Sequence, residues 1–231
     1  MSAFQSFWRG LDWSVPANLL LSVVPALVCI TLHELAHGWV AWKLGDDTAR
    51  RAGRLSLNPL RHIDWLGLVM MVTFHFGWAK PVPVDMRRFQ KLSPKTGMAV
   101  TAAAGPLCNI LITLAALFLY GLAFPPLTGS GTPAARALLQ TLYTTAELSL
   151  SLAVFNVIPV SPLDGSKILF SFLSEEQYAR LMRYERYGML LLLVLVATGI
   201  LRRPLSAVTV WLSDRLFVFA EWGFALSQRI V

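Results

Sequence analysis

The segment His33-Glu34-Leu35-Ala36-His37 lies inside an apolar stretch that runs from Asn18 to Trp42. A stretch of that length and polarity is expected to cross a bilayer as a helix, which places two imidazoles and a carboxylate inside a membrane. On a helix, residues i and i+4 are about 40° apart in azimuth and about 6 Å apart in rise, so both rings can reach one ion from one face. Glu34 sits beside them, placed to exchange a proton with a water at that ion.

Composition supports the membrane setting. Of 231 residues, 55% are hydrophobic and 14% charged, against roughly 25% charged in an average soluble domain. The N-terminal segment holds Arg9 and Asp12, and no small-residue cleavage site follows the apolar run, so the first helix is expected to stay in the mature chain. Cys29 and Cys108 both fall in apolar segments, where a small buried hydrophobe is the expectation and a disulfide framework is not. The formal net charge of +7 is carried by residues that flank apolar runs instead of forming a basic stripe with interleaved aromatics. It reports membrane orientation and argues against nucleic acid as a partner.

Four runs are candidates for spans: Asn18 to Trp42, Thr96 to Phe124, Ala134 to Val160, and Tyr187 to Leu201, the last short unless it extends back through Met182 to Arg186. A fifth, Leu205 to Leu226, carries Asp214, Arg215 and Glu221; it either spans with those charges facing other helices, the favoured reading, or lies in the interface. Phe4 to Trp13 resembles an interfacial anchor. The expected fold is an all-α polytopic membrane protein: a three-helix core, one or two further C-terminal helices, short surface strands, and a re-entrant segment between the first two core helices. Residues 1–170 would form the core and 171–231 the C-terminal, gating helices.

Between the first two long helices, residues 43–62 hold five Lys/Arg against two Asp, and residues 79–95 hold five against one. Both segments are expected on the cytoplasmic side. The apolar piece joining them, Ile63 to Trp78, is interrupted by Asp64, Gly67, Thr73, His75 and Gly77, and suits a re-entrant or inner-leaflet segment better than a span. The flanks Arg51 to Leu57 and Lys80 to Val84 are expected to form the short strands. The uncharged loop around Pro125 to Pro133 then faces outside, and His33 and His37 lie at the depth of the inner end of the third run.

That inner end carries a second motif, Asn156-Val157-Ile158-Pro159-Val160-Ser161-Pro162-Leu163-Asp164-Gly165. An ionisable residue at such depth is costly and marks a partner or a pathway. Pro159 and Pro162 break the helix and Gly165 relieves the backbone after the acid, so Asp164 can be aimed sideways. Two imidazoles and one carboxylate leave the fourth position of a tetrahedral zinc open.

With these motifs the chain resembles the site-2 protease family of intramembrane zinc metalloproteases (peptidase M50), in the small branch without PDZ or CBS domains. The resemblance rests on the HELAH segment, on Asn156 to Gly165 as N-x-x-P-x-x-x-L-D-G, and on Gly105-Pro106-Leu107-Cys108-Asn109. Leu57 to Asp64 and Gly77 to Val84 extend it over most of residues 18–170. It implies one Zn2+ held by His33, His37 and Asp164, with Glu34 as the catalytic acid–base. It also implies that Asn109 and Asn156 bind unwound substrate backbone, one of them helping to stabilise the oxyanion, and that a surface strand pairs with the substrate.

The expected function is hydrolysis of peptide bonds in or near transmembrane segments of a membrane-protein substrate. The expected place is a prokaryotic cell membrane, with the site toward the cytoplasm. His62 and His75 are expected to be packing or surface residues, and Lys80 and Arg61 to contact lipid phosphates. A homo-oligomer or a regulatory membrane partner is compatible with the chain. A di-iron desaturase would need many more histidines than the four present. A metal transporter or a non-catalytic scaffold using the same zinc is the alternative; intact Glu34 argues against a scaffold.

Overall fold

The computed structural model describes residues 14–74 and 78–230. The interfacial anchor expected at Phe4 to Trp13, and His75, lie outside them. The chain runs through α1 (Ser14–Leu44), a helical turn at Thr48–Arg51, α2 (Trp65–Phe74), α3 (Pro94–Ser130), α4 (Pro133–Asn156), α5 (Asp164–Phe170), α6 (Glu175–Ala197), α7 (Arg202–Leu216) and α8 (Val218–Ile230). Within these, Leu21–Leu44 and α3 are long and apolar enough to cross a membrane, and the bent pair Tyr187–Ala197 and Arg202–Ile230 passes only if taken as one span. Side chains such as Val28, Leu107, Leu111 and Leu119 are exposed on α1 and α3. An exposed apolar surface of this kind is what a bilayer solvates.

Helix α3 is the central element, packed against α1, α4, α5 and α8. Its start is fixed by Ser93, whose side chain accepts from Thr96 N, and by Pro94 in the first turn; Gly131, with φ +62°, ends it. At 37 residues it is about 55 Å long, well beyond the roughly 30 Å hydrocarbon core. Helix α4, with 24 residues, is long enough to cross but is not among the strongly apolar spans, because polar side chains recur along it. Several of those side chains are satisfied by neighbouring helices. Ser149 is fully buried and donates to the Asn109 carbonyl on α3 at 2.8 Å, and Glu147 accepts from Ser213 of α7 at 2.9 Å.

The α3–α4–α8 junction is built from small residues. Ala116, Leu117, Ala146 and Ala220 form its buried cluster, with Tyr120, Leu216 and Phe219 against it. A Cβ on Gly121 would strike the Ala220 carbonyl, and one on Gly223 the Phe118 carbonyl. Helices in lipid gain association chiefly by such close backbone approach.

Three expectations change. The surface strands are absent among the described residues, which hold only an isolated antiparallel bridge between Ile63 and Ala79. Lys80 N donates to His62 O at 2.9 Å, but Pro81 and Pro83 have no N–H to continue a ladder. On the other flank, Arg54 N and Ser56 N are spent on the local carbonyls of Ala49 and Arg54. The fourth apolar run belongs to a helix that begins earlier than expected, at Glu175, where Ser174 and Gln177 form a reciprocal capping box. The fifth run divides between α7 and α8, and its Asp214, Arg215 and Glu221 are all exposed.

Among the described residues helix α2 is 10 residues long, about 15 Å, half the thickness of a bilayer's hydrocarbon core. Asp64 Oδ1 accepts Gly67 N at 2.9 Å at its start.

Candidate active site

Helix α1 supplies His33, Glu34 and His37 from adjacent turns. Their partner arrives from the turn after α4. That helix ends at Asn156, the chain doubles back through Pro159 and Pro162, and Asp164 becomes the first residue of α5. Gly165 does not act as a flexible relief here. It sits in ordinary helical backbone, and a Cβ there would collide with the Val157 carbonyl, so the glycine lets α5 dock on the end of α4.

This folding brings one ligand atom from each of His33, His37 and Asp164 into one cluster, and all three residues are buried. His33 Nε2 and His37 Nε2 are 3.0 Å apart, and each is 3.2 Å from Asp164 Oδ2. Bonds of about 2.0–2.1 Å to a tetrahedral zinc would separate ligand atoms by about 3.3 Å, so the triangle is close to the size one ion requires. Asp164 Oδ2 is buried and faces both Nε2 atoms without a well-formed hydrogen bond to either. Buried polar atoms that meet without good hydrogen bonds are expensive, and a cation shared by all three removes that cost. The donor set fits a metal.

The far side of each ring is also held. His37 Nδ1 is 2.8 Å from the Thr101 carbonyl on α3; a carbonyl only accepts, so Nδ1 carries the proton and Nε2 keeps its lone pair. His33 Nδ1 is 3.1 Å from Asn109 Nδ2, and Asn109 is fully buried. Gly105 lets α3 approach this closely: a Cβ there would lie 2.6 Å from His33 Cε1 and against the His37 ring.

Glu34 is half-buried, and its Oε2 accepts the backbone N–H of Val82 at 2.9 Å. The loop bearing Val82 is itself clamped, since Arg54 Nη2 donates to Lys80 O at 2.6 Å.

Asn156 is half-buried, and its Nδ2 donates to Leu152 O within its own helix at 3.0 Å. His62 is buried, with Nε2 2.9 Å from Ser56 O, outside the metal cluster. Thr101 is a site residue of which the sequence carried no sign, and Gly105 and Val82, although inside the Gly105 to Asn109 and Gly77 to Val84 motifs, had no role assigned to them. A glycine inside an otherwise apolar helix hints at a close approach; Thr101 and Val82 act through backbone atoms, which residue type does not reveal.

The sequence pattern of peptidase family M50 matches residues 22–201. The chain belongs to that family. It is 35% identical to "Putative zinc metalloprotease YwhC" of Bacillus subtilis over 195 residues, covering 82% of this chain and 83% of that one. It is 26% identical to "Putative zinc metalloprotease Rip2" of Mycolicibacterium smegmatis over 214 residues, covering 90% of this chain and 80% of the relative. "Zinc metalloprotease MJ0392" of Methanocaldococcus jannaschii is 28% identical over 225 residues, which are 96% of this chain and 52% of that protein. No solved structure matches significantly. Membership in M50 puts the His33–His37–Asp164 cluster and Glu34 in the setting of a peptidase.

Proposed function

We propose that the protein is an intramembrane zinc metalloprotease that hydrolyses peptide bonds in or near the transmembrane segments of membrane-protein substrates. The observation that carries this reading is the meeting of His33, His37 and Asp164, 127 residues apart in sequence between His37 and Asp164, beside a carboxylate on an apolar helix. The relatives named as zinc metalloproteases supply the metal's identity.

His33, His37 and Asp164 would hold the zinc, which supplies Lewis acidity toward the scissile carbonyl and toward water. Glu34 takes the proton from the attacking water and returns it to the departing amine. Its Oε2 is anchored by Val82 N–H, which leaves Oε1 as the atom that shuttles the proton. Thr101 fixes the tautomer of His37, and Asn109, buried against His33 Nδ1, orients that ring instead of reaching a substrate. Asn156 stays the candidate for holding unwound substrate backbone, at the mouth of the loop that presents Asp164.

The basic segments 43–62 and 79–95 favour a cytoplasmic position for the loop end, and with it the site, in a prokaryotic cell membrane. Residues 1–170 would form the catalytic unit. Among the C-terminal helices α8 packs closely on α3, whereas α6 shares few contacts with the other helices and meets the loop before Asp164 at Gly188, so α6 is the better candidate for the element that moves to admit substrate.

Zinc content of the detergent-purified protein tests the reading. About one zinc per wild-type chain is expected, lost or weakened in both His33→Ala and Asp164→Ala, together with a Glu34→Gln variant that keeps zinc and loses cleavage of a membrane-protein substrate. Zinc unaffected by Asp164→Ala, or cleavage surviving Glu34→Gln, would refute the corresponding role.

A further inference from the structure

Three cationic side chains from three separate segments line one cavity of about 560 Å³ at the loop-bearing end of the molecule. Arg54 follows the helical turn at Thr48–Arg51, Arg61 ends the turn at Pro59–Arg61, and Lys80 lies on the extended segment paired with His62. The only acid in the lining is Asp64, and its Oδ1 is occupied at the start of α2 by Gly67 N.

None of the three cations has a carboxylate partner among the described residues. Arg54 is only 8% exposed; it spends Nη2 on Lys80 O, and its Nε is buried without a hydrogen bond. Arg61 donates Nη1 to the Gly53 carbonyl. Carbonyl dipoles orient these side chains without neutralising them, so three positive charges converge against one carboxylate. By contrast Arg87 and Arg88, in the same basic loop, are paired with Asp85 and Asp47. An unpaired, partly buried guanidinium beside two more cations is an anion site, and its planar fork matches the oxygens of a phosphate.

The rim of the cavity identifies the source of that phosphate. Leu60 and Trp65 line it and are 69% and 74% exposed, and the apolar helix α2 begins at Trp65, with Leu66 beside it 63% exposed. A free inorganic anion has no use for such a rim, whereas a phosphodiester carrying acyl chains fills both parts. We propose that Arg54, Arg61 and Lys80 form a binding site for the phosphate of an anionic membrane phospholipid, with its acyl chains laid against Trp65 and its apolar neighbours. The lipid bridges the three loop segments, including the one whose Val82 N–H holds Glu34. The site does not depend on the assignment of the catalytic residues.

Titration of the detergent-purified full chain with a short-chain phosphatidylglycerol, followed by native mass spectrometry, tests this. Wild type should carry a phosphatidylglycerol adduct, and Arg61→Gln/Lys80→Gln should bind it about tenfold or more weakly. Both side chains are exposed, so the double variant should fold. Arg87→Gln/Arg88→Gln removes the same charge elsewhere and should bind like wild type. Equal loss in both double variants would mean diffuse attraction and would overturn the site, as would undiminished binding in Arg61→Gln/Lys80→Gln. Phosphatidylcholine binding as tightly as phosphatidylglycerol would overturn the anionic specificity. Inorganic phosphate competing on equal terms with phosphatidylglycerol would leave an anion site and overturn the lipid assignment.

Discussion

The side-chain amide of Asn109 lies 3.1 Å from His33 Nδ1, on a helix 76 residues farther along the chain. Both groups are buried, Asn109 completely, and Asn109 Oδ1 has no partner. A ring that offers Nε2 to a metal keeps its proton on Nδ1 and needs an acceptor there; turning the amide over supplies Oδ1. Asn109→Leu should therefore weaken zinc binding by about 10–100-fold, and Asn109→Asp, which retains an acceptor, should recover most of it. Competition against a chelator of known affinity measures both. A leucine variant with wild-type affinity would show that the amide only packs.

Gly105 is predicted to tolerate no side chain. The Cβ of alanine would fall 2.6 Å from His33 Cε1 and on the His37 ring, and neither ring can retreat while its far nitrogen is held. Overpacking of this kind costs about 1–3 kcal/mol. Gly105→Ala should lower thermal stability and displace the rings enough to reduce zinc content. Gly129→Ala, where the added atom meets nothing within 4 Å, is the matched control on the same helix. Equal zinc in the two variants would mean that the helices separate freely.

The meeting of His33, His37 and Asp164 could be read from residue types because metal binding needs particular side chains at particular spacings: His33 and His37 one turn apart, and Asp164 beside a helix-breaking Asn-x-x-Pro. The long apolar helices were legible for the same reason, since burial in lipid constrains every position. What stayed hidden acts through backbone atoms or through competing local rules. The Thr101 carbonyl and the Val82 N–H have no signature in residue type. Lys80 to Val84 alternates like a strand, yet Pro81 and Pro83 stop the ladder after the Ile63–Ala79 bridge. The start of α6 is signalled by Ser174 and Gln177, but a search for apolar runs passes over it because the first turns are charged.

The close crossing of α3 and α8 gives a second packing prediction, separated from the chemistry. Gly223→Ala would push a methyl group into the Phe118 carbonyl, and Gly121→Ala into that of Ala220; both obstacles are backbone and cannot rotate away. Each substitution should destabilise the protein by about 1–3 kcal/mol, read as a lower melting temperature in detergent. Zinc per folded chain should stay at the wild-type value because neither glycine touches His33, His37 or Asp164. Loss of zinc in step with stability would mean that α8 belongs to the catalytic unit.

The bond from Val82 N–H to Glu34 Oε2, 2.9 Å long and 48 residues apart in sequence, makes the loop part of the positioning of the carboxylate proposed to be catalytic. Val82 is flanked by Pro81 and Pro83, and a residue before proline favours the extended region that proline itself adopts, so Val82→Pro should fit the same path while deleting that single donor. A hydrogen bond to a charged acceptor contributes about 1.5–3 kcal/mol, so freeing the carboxylate should lower kcat by about tenfold or more with zinc content unchanged. Val82→Ala keeps the N–H and trims only the buried side chain, which lies close to Gly38; its kcat should stay near wild type. The comparison separates the two roles of the residue. If proline and alanine reduce kcat equally, the side chain matters and the amide does not, and the loop would hold Glu34 by packing alone.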